Sequence, residues 1–294
     1  MVDSNQSNTN QTTQKQLFTV KKWRFSKRKT LRKAGEWAVV TGASSGIGEA
    51  YADELAKEGL NIMLISNDEE QLSCVANGIA TTYNVQTLIV VAEFTKHDVY
   101  EIIRPAVDQL STIACLVNNV GMGLPVTLFS GEVNSPNEES IRNIIHCNIL
   151  SAVTMTSIIL PKMLIQKGPN PGIINIASYS GLRVFPYASL YATTKAANIQ
   201  FSRCVAAEKY KNNVIIQAIC PLYVSTNLTN LMKTTFFIPT AKVYAKSALD
   251  MFGVEQQTSG YSRHELKAYH HSLLPTSDFK RIIRSVAKST LKKS

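Results

Sequence analysis

A chain of 294 residues with 45% apolar side chains is long enough to bury a sizeable core and has the composition of an ordinary globular fold. Its formal charge of +10 is a property of the ends: residues 1–33 hold nine basic side chains against one acid, residues 280–294 hold six against none, and residues 34–279 sit at −4. A basic groove in the body is thereby excluded, and with it the expectation of a nucleic-acid partner.

Met1 to Gln16 is an Asn/Gln/Thr/Ser tail with too little apolar content to order by itself. It shows no signal-peptide pattern, and no apolar run near the N-terminus reaches the roughly 18–20 residues of a membrane span. Lys21 to Lys33 is a basic stretch interleaved with Trp23, Phe25 and Leu31. It reads either as a solvated linker or as a peripheral contact with anionic lipid, to which each basic residue near the surface adds about 1 kcal/mol.

Regular alternation then begins. Trp37–Val40 is an apolar run that enters the glycine turn Thr41-Gly42-Ala43-Ser44-Ser45-Gly46-Ile47-Gly48, and helical spacing follows to Lys57. Strands are expected at 61–66, 87–92, 113–118, 172–177 and 214–219, and helices at 68–82, 97–110, 137–165 and 188–210. Cys147 to Leu160 is the nearest approach to a membrane span, but it is short before Pro161 and Lys162, so a buried helix is expected there. After Cys220-Pro221 the pattern loosens, with an irregular connection over 222–239 and helices expected at 242–252 and 264–273. The whole predicts one α/β domain over 34–279, a doubly wound parallel sheet (Rossmann fold) with helices on both faces and a C-terminal segment covering the site, flanked by a disordered basic tail (1–33) and a basic C-terminal tail (280–294).

Five cysteines (Cys74, Cys115, Cys147, Cys204, Cys220) are odd in number, show no CxxC pair and have no His at metal-ligand spacing, which points to a reducing compartment and no metal site. The sequons at Asn5, Asn10 and Asn227 are then chance matches. The glycine turn lies between a strand and a helix, where the backbone can approach a pyrophosphate and the helix N-terminus offers free N–H groups. Tyr191 and Lys195 are four apart on one helix, which places a phenol and an ammonium on one face, one turn apart. A nearby cation favours phenolate, bringing the phenol's pKa of about 10 toward working range.

The turn, Asn118-Asn119-Val120-Gly121 after the fourth strand, Ser178 after the fifth, and Tyr191 with Lys195 together resemble the short-chain dehydrogenase/reductase family, in the expected order from about Glu36 to Thr229. Asn148 in His146-Cys147-Asn148 matches the family's helix asparagine. Finer wording, including Trp37–Ala43, Leu64–Ser66, Glu93–Lys96 and Val224-Ser225-Thr226, resembles the branch of the 17-beta-hydroxysteroid dehydrogenases of types 3 and 12 and the very-long-chain 3-oxoacyl-CoA reductases.

The resemblance implies that Tyr191 protonates the carbonyl oxygen during reduction, that Lys195 favours its phenolate and binds the nicotinamide ribose, that Ser178 hydrogen-bonds the substrate carbonyl, and that Asn148 holds a water leading from Lys195 to solvent. Gly42, Ser44, Ser45, Gly46, Ile47, Gly48, Ser66, Asn67, Glu93, Asn119, Val224 and Thr226, with Tyr191 and Lys195, are the implied cofactor contacts. Ser66 stands where NAD-preferring relatives have an acid, and Asn67 where the NADPH branch usually has an arginine, so NADP(H) is expected, with NAD(H) as the other candidate. Glu93 is one methylene longer than the usual aspartate. The implied activity is reduction of a ketone on an apolar small-molecule substrate, a 17-ketosteroid or a long-chain 3-oxoacyl-CoA. The altered cofactor pair and polar N-terminus leave open a low-turnover cofactor-binding scaffold docked on membranes or partners through its basic ends. A homodimer through the helices at 137–165 and 188–210 is expected by analogy. The cytosolic face of the endoplasmic reticulum is the implied location, or the cytoplasm if the missing apolar anchor is taken at face value.

Overall fold

The computed structural model describes residues 30–291, apart from 131–134, 209, 211–213, 230 and 232. Most of the basic N-terminal stretch, including Trp23 and Phe25, lies outside the described residues. Leu31 is inside them, and it is fully buried in the core rather than solvated.

Among the described residues, seven strands form one parallel sheet: β1 (Trp37–Thr41), β2 (Asn61–Ser66), β3 (Thr87–Val91), β4 (Ile113–Asn118), β5 (Gly172–Ile176), β6 (Ile215–Ile219) and β7 (Gln257–Thr258). Their order is β3-β2-β1-β4-β5-β6-β7. The inner strands are near-continuous Val, Ile, Leu and Ala because both faces are covered; Ala38, Val39 and Val40 have no exposed surface. The order reverses between β1 and β4, which leaves a crevice beyond their carboxyl ends.

The helices are α1 (Gly46–Lys57), α2 (Glu69–Tyr83), α3 (Val99–Asp108), α4 (Glu138–Ile165), α5 (Ser189–Ala207), α6 (Ala241–Asp250), α7 (Ser262–Ser272) and α8 (Thr276–Leu291). Polar side chains start several of them: Asp68 accepts the Gln71 N–H at 3.0 Å and Asn137 the Ser140 N–H at 2.8 Å. Asn84 ends α2 in the left-handed region, at φ 53°. By length and composition α4 passes as a membrane span, but Met155, Ile159 and Met163 are fully buried against the sheet, as a core helix requires. A π-helical turn at His146–Leu150 interrupts it.

Two elements depart from the expected layout. β7 has only two residues and no apolar run to announce it. The helix α8 runs through the boundary expected at residue 279: Phe279, Ile283 and Ala287, four apart, make an apolar stripe among basic residues. Phe279 is fully buried against Tyr179 (6.3 Å between ring centroids) and Phe185 (5.8 Å), with the Arg183 guanidinium 4.4 Å over its ring. Cys115, Cys147 and Cys220 are buried and Cys74 and Cys204 exposed, and burial pushes the Cys147 thiol up to about 11.

Candidate active site

The glycine turn emerges from β1 with Gly42 and Gly46 both at φ +63°, a conformation that suits glycine. Gly48 has a different reason to be glycine: a Cβ there would stand 2.1 Å from the Gly42 carbonyl and 2.5 Å from Asn119 Nδ2. Ser45 sits in extended backbone at the start of α1 and its side chain makes no cap bond, while the Gly46 N–H interacts with the Glu49 carboxylate. These residues fit a dinucleotide's pyrophosphate, through the close backbone approach at the helix N-terminus. Gly48→Ala is expected to cost about 1–3 kcal/mol of stability and to abolish tight cofactor binding, measured by thermal unfolding and nicotinamide fluorescence titration.

Asn119 holds the turn from β4. Its Nδ2 donates to the carbonyls of Thr41 (3.0 Å) and Gly42 (3.1 Å), while the Asn119 and Val120 N–H groups both donate to Thr41 Oγ1 at 3.0 Å. Ile47 packs against the core beneath the turn. On the other side Thr226 lies over it, its methyl 3.3 Å from where a Cβ on Gly46 would be, and Val224 is buried at the root of that segment.

At the end of β2, Ser66 Oγ and Ser44 Oγ share a hydrogen bond of 2.8 Å. Asn67 does not reach into that space: its Nδ2 donates to Glu93 Oε2 at 2.8 Å, and the other carboxylate oxygen accepts from Thr95 N–H and Thr95 Oγ1, both at 3.0 Å. Burial raises the Glu93 pKa, but the bonds from Thr95 and Asn67 together with Lys96 outweigh it, so Glu93 stays ionised below its ordinary range. The two residues thus tie the β2 and β3 exits together.

Ser178 follows β5 and accepts from Ser180 N–H (3.2 Å) and Ser180 Oγ (3.0 Å). It also acts on Tyr191, opposing the rise of that phenol's pKa. Lys195, one turn on, is buried and donates to the Ile176 carbonyl at 3.0 Å, with its Nζ 5.6 Å from the Tyr191 ring centroid. The electrostatic balance differs from the expected one. Burial raises the Tyr191 pKa, Ser178 opposes the rise and Tyr223 adds to it, so Tyr191 is held as a neutral phenol. Burial also pulls Lys195 down to about 8. Desolvation of the pair outweighs the lysine's pull toward phenolate.

Asn148 sits in the π-helical turn and is fully buried. Its Oδ1 accepts the Met122 N–H at 2.7 Å, its Nδ2 donates to the Met122 carbonyl (2.9 Å) and to Thr194 Oγ1 (3.0 Å), and its own carbonyl accepts from Asn198 at 2.7 Å. It therefore clamps the β4 exit to α5. Asn148 Oδ1 and Lys195 Nζ each stand 3.3 Å from the point where a Cβ on Gly121 would be, so both face one spot beside that glycine.

The structure brings Ser178, Tyr191, Lys195, Asn148, Asn119 and the glycine turn to the carboxyl ends of the strands. The matching family model is that of short chain dehydrogenases, over residues 36–235. This chain belongs to the short-chain dehydrogenase family. It is 37% identical over 256 residues to very-long-chain 3-oxoacyl-CoA reductase of Mus musculus, covering 87% of this chain and 80% of that protein. It is 42% identical over 258 residues to 17-beta-hydroxysteroid dehydrogenase type 3 of Homo sapiens, covering 87% and 81%. Among solved structures, a 7beta-hydroxysteroid dehydrogenase superposes with a TM-score of 0.77 at 21% identity, over 87% of this chain and 99% of its own. A Sphingobium yanoikuyae short-chain dehydrogenase in complex with NADPH gives 0.67 at 23%, over 76% and 86%.

Thr41, read in the sequence only as the first residue of the glycine turn, also organises the Asn119 loop through its Oγ1. Two residues of the candidate site went unnoticed in the sequence: Asn198 holds the Asn148 carbonyl, and Tyr223 acts on Tyr191. Asn198 carried a signal, since it lies three residues after Lys195 on the buried face of α5. Tyr223, in an irregular connection, carried none. Among the described residues no group of three or more His, Cys, Asp or Glu is placed to hold a metal. A groove of about 580 Å³ among α1, α2 and α6 is open to solvent on the outer helix face, and its Asp53 is already paired with Lys242 (3.2 Å) and Tyr83 (2.7 Å).

Proposed function

We propose that this short-chain dehydrogenase reduces a ketone on an apolar substrate, a 17-ketosteroid or a long-chain 3-oxoacyl-CoA, with NADP(H). The observation that carries it is Lys195 Nζ held 5.6 Å from the Tyr191 ring centroid by its bond to the Ile176 carbonyl, with burial keeping Tyr191 a neutral phenol. The bound cofactor supplies the hydride. Ser178 and Tyr191 orient the carbonyl oxygen, where negative charge develops, and the Tyr191 hydroxyl delivers the proton to it. Lys195 orients the cofactor ribose, and Asn148 keeps the β4 exit in register with α5 and faces a water on the way from Lys195 to solvent. The names of the two relatives, a 3-oxoacyl-CoA reductase and a 17-beta-hydroxysteroid dehydrogenase, support both substrate classes. NADP(H) is supported by the missing carboxylate at Ser66 and by the Ser44–Ser66 hydroxyl pair, which keeps one O–H donor free for a 2′-phosphate while Asn67 is engaged by Glu93. The intact Ser178, Tyr191 and Lys195 disfavour the scaffold reading. Peripheral membrane contact through the basic ends, pairing through α4 and α5, and placement at the cytosolic face of the endoplasmic reticulum complete the proposal.

Purified protein with NADPH and a panel of 17-ketosteroids and 3-oxoacyl-CoAs should show loss of absorbance at the nicotinamide band with at least one class. No turnover with any of them overturns the proposal, and the preferred class names the substrate.

A further inference from the structure

We propose that His264 is a positioning residue: its imidazole ties together the two ends of the segment that carries Tyr223 and Thr226, and so holds those side chains against Tyr191 and the glycine turn. His264 is fully buried at the start of α7. Its Nδ1 lies 3.3 Å from the Leu222 N–H, and its Nε2 lies 3.2 Å from the Tyr223 carbonyl and 3.1 Å from the Phe237 carbonyl. An amide can only donate and a carbonyl can only accept, so one neutral tautomer, protonated at Nε2, satisfies all three groups at once. Burial, which holds the ring's pKa near 4, keeps it neutral at physiological pH.

The three partners are backbone groups fourteen or fifteen positions apart in two clusters. Leu222 and Tyr223 directly follow β6, and Phe237 lies at the far end of the covering segment. Between them run Val224, Thr226 and Leu228. Phe236 is held from the same helix: the Arg263 guanidinium donates to its carbonyl at 3.1 Å and stacks 4.1 Å over its ring. Lys267 stands 5.5 Å from the Phe237 ring.

The imidazole itself is anchored to the sheet. Glu265 accepts from Thr258 Oγ1 at 2.8 Å and from the Ser259 N–H, and Thr258 belongs to β7, which pairs with β6. Gly260 turns at φ +73°, where a Cβ would stand 2.6 Å from the Tyr244 hydroxyl. Tyr244 and Tyr261 pack on the imidazole, with ring centroids at 5.6 and 5.2 Å. A rigid turn at the sheet edge thus presents one side chain that sets where the segment over the site begins and ends.

His264→Phe fills the space but removes all three bonds, His264→Gln restores a donor to the carbonyls, and Arg263→Ala releases Phe236 from the exposed side while leaving the imidazole and its three bonds in place. The readouts are the NADPH dissociation constant, KM and kcat for the ketone, and the rate of tryptic cleavage after the exposed Lys233. The kinetic readout rests on the ketone reduction proposed above; the other two do not, and they decide the matter even if wild type turns over no ketone. In His264→Phe the dissociation constant and KM are expected to rise about tenfold, more than kcat falls, with cleavage accelerated about tenfold. His264→Gln is expected to recover most of this, and Arg263→Ala to accelerate cleavage about threefold. Wild-type cofactor affinity and cleavage in His264→Phe, whatever its melting temperature, overturn the inference. So does equal impairment of the Phe and Gln variants, which would make the role one of packing. Should His264→Phe not fold, unchanged cleavage in Arg263→Ala overturns it.

Discussion

Tyr191→Phe is expected to lower kcat for ketone reduction by about 10²–10⁴-fold while leaving NADPH affinity and the melting temperature near wild type. The phenol ring stays in place and only the hydroxyl goes, so the packing of α5 is untouched. What is lost is the hydroxyl proposed above as the proton donor. Because burial holds Tyr191 neutral, reduction is expected to proceed on a pH plateau through neutrality and to fall as the phenol ionises at alkaline pH. Steady-state kinetics across pH, with fluorescence titration of cofactor in the same buffers, checks both statements. A variant with more than about a tenth of wild-type kcat shows that another group delivers the proton.

Lys195→Met is expected to abolish turnover and yet to make the cofactor-free protein more stable. Lys195 is 4% exposed, and burial drags its pKa from 10.5 to about 8. At about 1.36 kcal/mol per pH unit, carrying the ammonium into the core costs about 3 kcal/mol at neutral pH. The bond to the Ile176 carbonyl returns about 1 kcal/mol of that, so the net gain on substitution is about 2 kcal/mol. The sign sets the pH signature. A lysine whose folded pKa is depressed adds nothing unfavourable above its unfolded pKa, and destabilises progressively as pH falls from 10.5 to 8. The variant's advantage should therefore be full below pH 8 and vanish near 10.5. Urea unfolding at pH 7 and pH 10 measures it. Equal stability at pH 7 would show that the buried ammonium is already compensated by its surroundings.

Much of the fold was legible because its signals are local. The strands at 37–41, 61–66 and 113–118 are uninterrupted apolar runs, and the helices between them keep one apolar face, so their order predicted the parallel sheet without reference to any contact. The elements that escaped notice lacked such a signal. β7 is Gln257-Thr258, held by pairing with Ala218 and Ile219 and not by its own apolar content. The stripe of Phe279, Ile283 and Ala287 was hidden by the basic residues around it, and α8 gains its stability from the aromatic cluster of Tyr179 and Phe185.

The site divides in the same way. The amino-acid sequence by itself determined which groups are present and in what order: the glycine turn, Asn119, Asn148, Ser178, and a tyrosine and lysine one turn apart. Each is a short-range pattern, set within a few residues of chain. Only the tertiary structure decided what state those groups are in. Tyr191 remains a neutral phenol and Lys195 a weakened base because both lose water to neighbours far away in sequence, Asn67 is committed to Glu93, and His264 reaches backbone groups from two separate loops. Desolvation and hydrogen-bond pairing depend on what surrounds an atom in space, and no spacing along the chain encodes that.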